Sequence, residues 1–191
     1  MEVAAMSDKS QASARLPALP EVTIYVDGSC SENPGKGGYG VVLLCGDQRR
    51  ELSQGFRMTT SNRMELMGAI AGLERLNRPC RITVISDSEY LVKAMRNGWT
   101  RRWKANGWRK QDNGRVLNVD LWERLLAACE AHEVEFRWVR GHSGDTENER
   151  CDGLAKAAQL TADLAEDEGY RASKRAGGAA QEPALTVASP V

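Results

Sequence analysis

The stretch RITVISDSEYLVKAM, residues 81–95, decides the fold. RITVIS is a short apolar run with the length and composition of a buried strand, and Asp87-Ser88 then opens a helix that runs through YLVKAM. A strand that passes into a helix before the next strand implies a parallel crossover, because a tight turn cannot join parallel neighbours. Upstream, SNRMELMGAIAGLERL places Leu66, Ile70 and Leu73 at i, i+4 and i+7, with Asn62 as the expected cap three residues before Glu65. VTIYVD (22–27) alternates Val22, Ile24 and Val26 against Tyr25 and Asp27, the period of a strand. After a Gly-rich turn, YGVVLLC and RRELSQGFR, separated by Gly46-Asp47, continue as a meander. Downstream, Leu121, Trp122, Leu125, Leu126 and Cys129 mark another amphipathic helix, VEFRWV (134–139) a fifth strand, and Thr146-x-x-Glu149 a capping box for a last helix. The expectation is an α/β fold, a five-stranded mixed sheet flanked by helices.

At 191 residues the chain fits one domain. That domain is expected over residues 21–161, with an Ala, Ser and Pro-rich flexible extension over 1–20 and a disordered, dispensable tail over 162–191. Lys+Arg and Asp+Glu both number 26, so affinity for a polyanion must come from local clustering. Five scattered cysteines without C-x-x-C spacing argue against a disulfide framework and a zinc site, and for a reducing compartment. No apolar run approaches the roughly 18 residues of a membrane span, and residues 1–20 contain no apolar signal core. The cytoplasm is the expected location.

Placed on this scaffold, Asp27 lies in the first strand, Glu65 in the first turn of a helix, Asp87 at the carboxyl end of the fourth strand and Asp152 near the start of the last helix. Carboxyl ends of parallel strands are where open α/β sheets place ligands. Converging carboxylates repel, by about 4 kcal/mol for one pair about 4 Å apart at an effective dielectric near 20, so a cation must offset them. Magnesium suits all-oxygen ligands and keeps waters that leave room for phosphate. Two such ions about 3.5–4 Å apart would serve an in-line phosphodiester displacement. His142, on a Gly-flanked loop ten residues before Asp152, could move protons or aid product release. Taken singly, each acid also has a structural reading: Glu65 and Asp152 favour helix N-termini, and Asp87 helps a helix begin. His132, beside Glu133, reads as structural, and Cys30 and Cys151, without a base partner, as packing positions.

The pieces YVDGSCSENPG, TTSNRMEL, ISDSEYL, a Trp and Lys/Arg-rich segment with NGW, NVDLW, and VRGHSGDTENERCDGLA occur in order over about residues 21–160. In them the sequence closely resembles type 1 ribonuclease H, the bacterial-type family that cuts RNA in RNA/DNA hybrids. The resemblance implies a ribonuclease H-like fold and a monomeric endonuclease leaving 5′-phosphate and 3′-hydroxyl ends. It further implies two Mg²⁺ ions per site, with Mn²⁺ as an alternative, held by Asp27, Glu65, Asp87 and Asp152, Asp27 bridging both. By the same resemblance His142 is a mobile catalytic-loop histidine, and Asn148 orients substrate near the scissile phosphate. Gly28, Cys30, Asn33, Ser61 and Asn62 match positions that read the RNA 2′-hydroxyl across the minor groove. Thr60 and Asn118 match a phosphate pocket for the DNA strand.

From Lys93 to Arg115 there are eight Lys/Arg and one acid, Asp112, with Trp99, Trp103 and Trp108 interleaved. A solvated helix with tryptophans in the core would explain this, and so would a grip on the DNA strand by Trp99, Trp103, Lys104 and their basic neighbours. Glu89 and Met58 depart from the family, whose members often carry an uncharged polar residue and a basic one there. The main rival reading is a non-catalytic hybrid-binding module, which predicts eroded carboxylates; another nuclease or a transposase on the same fold would lack the complete TTSNRMEL piece and the basic segment.

Overall fold

A computed structural model describes residues 18–177, and expectations for residues 1–17 and 178–191 lie outside the described residues. In chain order the elements are β1 (Glu21–Cys30), β2 (Gly35–Cys45), β3 (Gln48–Thr59), α1 (Ser61–Glu74), β4 (Arg81–Ser86), α2 (Glu89–Arg96), α3 (Trp99–Ala105), α4 (Val119–Cys129), β5 (Glu133–Trp138), α5 (Thr146–Ala158) and α6 (Glu168–Gly177). The five strands form one mixed sheet in the order β3-β2-β1-β4-β5. β1, β2 and β3 pair antiparallel as the meander requires, whereas β4 and β5 run parallel to β1 across helical crossovers.

Strand alternation sorts the residues between two layers. Val22, Ile24 and Val26 of β1 are buried with Leu66, Ile70 and Leu73 of α1, the residues that the two periodicities pick out. On β2, a side chain at Gly40 would run into the Cys151 carbonyl and Leu154 of α5, so glycine there lets that helix lie directly on the sheet. Arg49 and Arg150 tie β3 and α5 together through Glu51 and Glu147, with contacts of 2.6–2.8 Å.

The caps differ from the sequence reading. Thr60, not Asn62, caps α1, its hydroxyl accepting from Arg63 N, and Asn62 lies inside the first turn. Asp145, not Thr146, caps α5, because its carboxylate accepts from both Glu147 N and Asn148 N at the positive end of the helix dipole. Glu149 instead reaches back to Gly144 N at 3.1 Å. Ser88 caps α2 as expected, accepting from Leu91 N. The basic segment is a second helix, α3, separated from α2 by Gly98 in the left-handed region, and it is rooted by Trp103 packing edge-on against buried Trp122, 5.8 Å between centroids.

The larger correction concerns residues 162–177, whose polar composition reads as tail. Ala165 bridges to Phe56, giving and taking backbone hydrogen bonds at the edge of β3, and Leu164 and Tyr170 are buried. Asp167 is buried because it is a counter-ion. Arg63, itself only 2% exposed, donates to both Asp167 oxygens at 2.7 and 2.8 Å and to Asp120 at 2.9 and 2.7 Å. Thr59 Oγ1 and Tyr170 N also donate to Asp167.

A guanidinium left in the interior without this partner is costly, so Asp167→Ala is expected to destabilise the protein by about 3 kcal/mol, Asp120 retaining part of the compensation. Urea denaturation checks this. Truncation after residue 177 should leave the midpoint nearly unchanged, whereas truncation after residue 162 should lower it at least as far as Asp167→Ala.

Candidate active site

Parallel pairing of β1 with β4 aligns Tyr25 with Ile85, so continuing each strand by two residues brings Asp27 level with Asp87. Glu65 comes from α1, whose first turn rests on β1 at Gly28. A side chain at Gly28 would strike Glu65 N and the Met64 backbone, so only glycine permits the helix to start so close to the strand. Asp27, Glu65 and Asp87 consequently offer oxygens that all lie within 4.8 Å of one another.

Two of these acids are nearly out of water, Asp27 at 8% exposure and Glu65 at 7%. Burial foremost, then the charges of Asp87 and Asp152, pushes the Asp27 carboxyl up to about 7. Burial, then Asp27 and Asp87, holds Glu65 well above the usual carboxylate range. The Gly28 N–H opposes both shifts by bonding each carboxylate, and Ser86 does so at Glu65. These are hard oxygen donors with a deficit of positive charge, which fits a divalent cation of the magnesium type. Burial holds the nearby Cys151 thiol protonated, and Cys151 is not a member of this group.

Asp152 stands apart from the other three expected ligands. It is close enough to raise Asp27, yet it is not a member of the tight group among the described residues. Its Oδ2 instead accepts from Lys156 Nζ, one helical turn on, at 2.7 Å. Attraction to that lysine competes with approach to three like charges.

The loop between β5 and α5 carries His142, which is exposed and has a left-handed backbone at φ 51°. Ser143 Oγ donates to the Arg140 carbonyl and Gly141 lies against the Asp87 carboxylate, so the loop is anchored beside the acids. Asn148, the third residue of α5, is 3% exposed, and its Oδ1 has no hydrogen-bond partner among the described residues.

The remaining expected contacts fall into three groups. Ser61 N donates to Asn33 Oδ1 at 3.2 Å, which brings Asn33, Ser61 and neighbouring Asn62 together near Gly28 and half-buried Cys30 at the end of β1. Thr60 and Asn118 both bond Arg63, the first to its backbone N–H and the second to Nη1 at 3.3 Å. Lys104 is exposed, but Trp99 and Trp103 are half-buried, stack on each other at 6.1 Å and pack against the core. The tryptophans therefore anchor α3, and exposed Arg101, Arg102 and Lys104 form no ion pair among the described residues. Sequence reasoning missed Arg63, Asp167, Ser86 and Trp138, whose indole Nε1 donates to the Asp87 carbonyl at 3.0 Å. An arginine inside the apolar α1 pattern was the one available signal.

A mixed sheet in this order with acids at the carboxyl ends of its parallel strands defines an α/β ribonuclease H-like protein. Residues 20–159 match the family model described as RNase H, and the chain belongs to that family of nuclease hydrolases. It is 57% identical over 150 residues to the ribonuclease H of Syntrophus aciditrophicus (strain SB), covering 78% of this chain and 87% of that one. LC9-RNase H1, a type 1 RNase H with the type 2 active-site motif, superposes with a TM-score of 0.68 at 30% identity, covering 84% of this chain and 83% of that one. LC11-RNase H1, solved in complex with an RNA/DNA hybrid, shares the fold at a TM-score of 0.56 and 22% identity, covering 72% of this chain and 95% of that one.

A carboxyl whose folded pKa exceeds its unfolded one holds a proton longer in the folded state, so stability falls as pH rises between the two values. For Asp27 that window runs from about 4 to about 7, so metal-free protein should lose stability across it, and Asp27→Asn should stabilise the protein at pH 8 and flatten the profile. Denaturant melts at pH 5, 6.5 and 8 in EDTA measure both.

Proposed function

We propose that the protein hydrolyses the RNA strand of RNA/DNA hybrids with divalent metal, Mg²⁺ in the first place and Mn²⁺ as an alternative, leaving 5′-phosphate and 3′-hydroxyl ends. The carboxylate group of Asp27, Glu65 and Asp87, found in a chain of the ribonuclease H family, carries this reading. Those three residues would hold the metal ions, Asp27 from between the other two, and Asp152 would join them by exchanging its bond to Lys156. When bound, two such ions supply an activated water and stabilise the departing oxygen.

The chain's own groups account for the rest. His142, exposed on its anchored loop, would take or return a proton near the leaving 3′-oxygen. Asn148, whose buried amide oxygen has no hydrogen-bond partner among the described residues, would orient substrate near the scissile phosphate. Gly28, Cys30, Asn33, Ser61 and Asn62 form a low surface at the end of β1 where backbone and small polar groups can meet ribose 2′-hydroxyls, the feature that separates RNA from DNA. Thr60 and Asn118, oriented through Arg63, would receive a phosphate of the DNA strand. Arg101, Arg102 and Lys104 on α3 extend the contact electrostatically. We read the protein as a monomer acting in the reducing cytoplasm, in keeping with five free cysteines and with no described helix long and apolar enough to cross a membrane.

Labelled hybrid, double-stranded RNA and double-stranded DNA, incubated with and without Mg²⁺, test the reading. Only the RNA of the hybrid should be cut, and only with metal. Asp27→Asn should abolish cleavage while retaining hybrid binding; wild-type protein that binds hybrid without cutting it would favour the non-catalytic module. Replacing Arg101, Arg102 and Lys104 together by alanine should make the slope of log affinity against log salt shallower by up to about three, at roughly 0.9 per phosphate contact.

A further inference from the structure

We infer that Ser86 is a positioning residue for metal binding, a role that rests on the proposed metal site and concerns a side chain that touches neither substrate nor ion. Ser86 ends β4 and is completely buried. Its Oγ accepts from Ser88 N at 3.0 Å and lies 3.3 Å from Glu65 Oε2. The backbone N–H of Ser88 can only donate, so the single hydroxyl proton is left free to point at Glu65. One oxygen thus joins two elements that must agree: the N-terminal half of α1, which carries Glu65, and the turn into α2, which carries Asp87.

The geometry has a chemical consequence. A hydroxyl donated to Glu65 Oε2 gives a buried carboxylate oxygen a fixed hydrogen-bond partner. It also fixes the rotation of the carboxylate about its last torsion, which is otherwise broad. With Oε2 engaged by Ser86, Glu65 also offers an oxygen within 4.8 Å of those of Asp27 and Asp87. The same strand end is tied to β5 by Val139 N, which donates to the Ser86 carbonyl at 3.1 Å, so the hydroxyl acts from a fixed backbone. Partners of metal ligands in comparable positions change metal affinity by about 10- to 100-fold when removed.

The test is a titration of the full-length protein with Mn²⁺ alone, free ion being followed by electron paramagnetic resonance, alongside thermal melts in EDTA. Ser86→Ala should weaken Mn²⁺ binding by about tenfold or more, and Ser86→Thr, which keeps the hydroxyl, should stay within about threefold of wild type. Ser86→Cys, close in size but a poor donor, should behave as the alanine variant does and decides the matter if alanine fails to fold. Wild-type binding matched by the folded alanine or cysteine variant would overturn the assignment while leaving the metal site intact. Failure of the wild type to bind Mn²⁺ would remove the metal site itself and this role with it.

Discussion

Three carboxylates that share a 4.8 Å neighbourhood, two of them almost out of water, repel one another, and most of the surrounding construction holds them there against that repulsion. Parallel pairing of β1 and β4 sets Asp27 and Asp87 side by side, and Gly28 removes the side chain that would keep α1 and Glu65 away. Gly28 N–H and the Ser86 hydroxyl supply the small amount of compensating polarity that the chain itself provides. Protonation of the buried acids relieves the strain in one way, and a divalent cation relieves it in another. The proposed catalysis would need the second, because only ionised carboxylates could hold ions where the phosphodiester would be attacked.

A second buried charge mirrors the first. Arg63, two residues before Glu65 on α1, is neutralised by Asp167 and Asp120 and in turn orients Asn118 and, through its backbone, Thr60. The helix that delivers Glu65 to the acidic group therefore carries a cation on a different face, whose partners come from α4 and from the segment after α5. The proposed phosphate pocket and the acidic group are consequently linked by a single rigid turn. The C-terminal segment up to residue 177 belongs to that linkage rather than to a tail.

How much of this was legible follows from the range of each interaction. The alternation of Val22, Ile24 and Val26 and the spacing of Leu66, Ile70 and Leu73 report burial on one face, a local property, and both elements were read correctly. Asp27, Glu65 and Asp87 were marked out by their match to the family's motifs, since the strand ends and the helix start left convergence open; the structure brings their oxygens within 4.8 Å of one another. The caps at Thr60 and Asp145 were misplaced by one or two residues because several neighbouring side chains compete for the same amide protons. Asp167 was not legible. Its partner Arg63 lies 104 residues away, and one acid between Glu166 and Glu168 in a polar segment looks solvated until the fold supplies the cation. The tryptophans of α3 left a packing and a binding reading open, since aromatic residues beside arginines have the same pattern in both; in the structure Trp103 packs edge-on against Trp122 and Trp99 tilts against Trp103.

The central claim, that buried and partly protonated acids await a cation, is tested most directly by counting protons released when Mg²⁺ binds. Calorimetric titrations near pH 6.5 in buffers of different ionisation enthalpy give that number, and repeating them above pH 9 gives its limit. Release near pH 6.5 that shrinks at high pH would match an Asp27 carboxyl pushed up to about 7 and a Glu65 carboxyl held well above its usual range until metal displaces their protons. Magnesium binding with no proton release at either pH would contradict it.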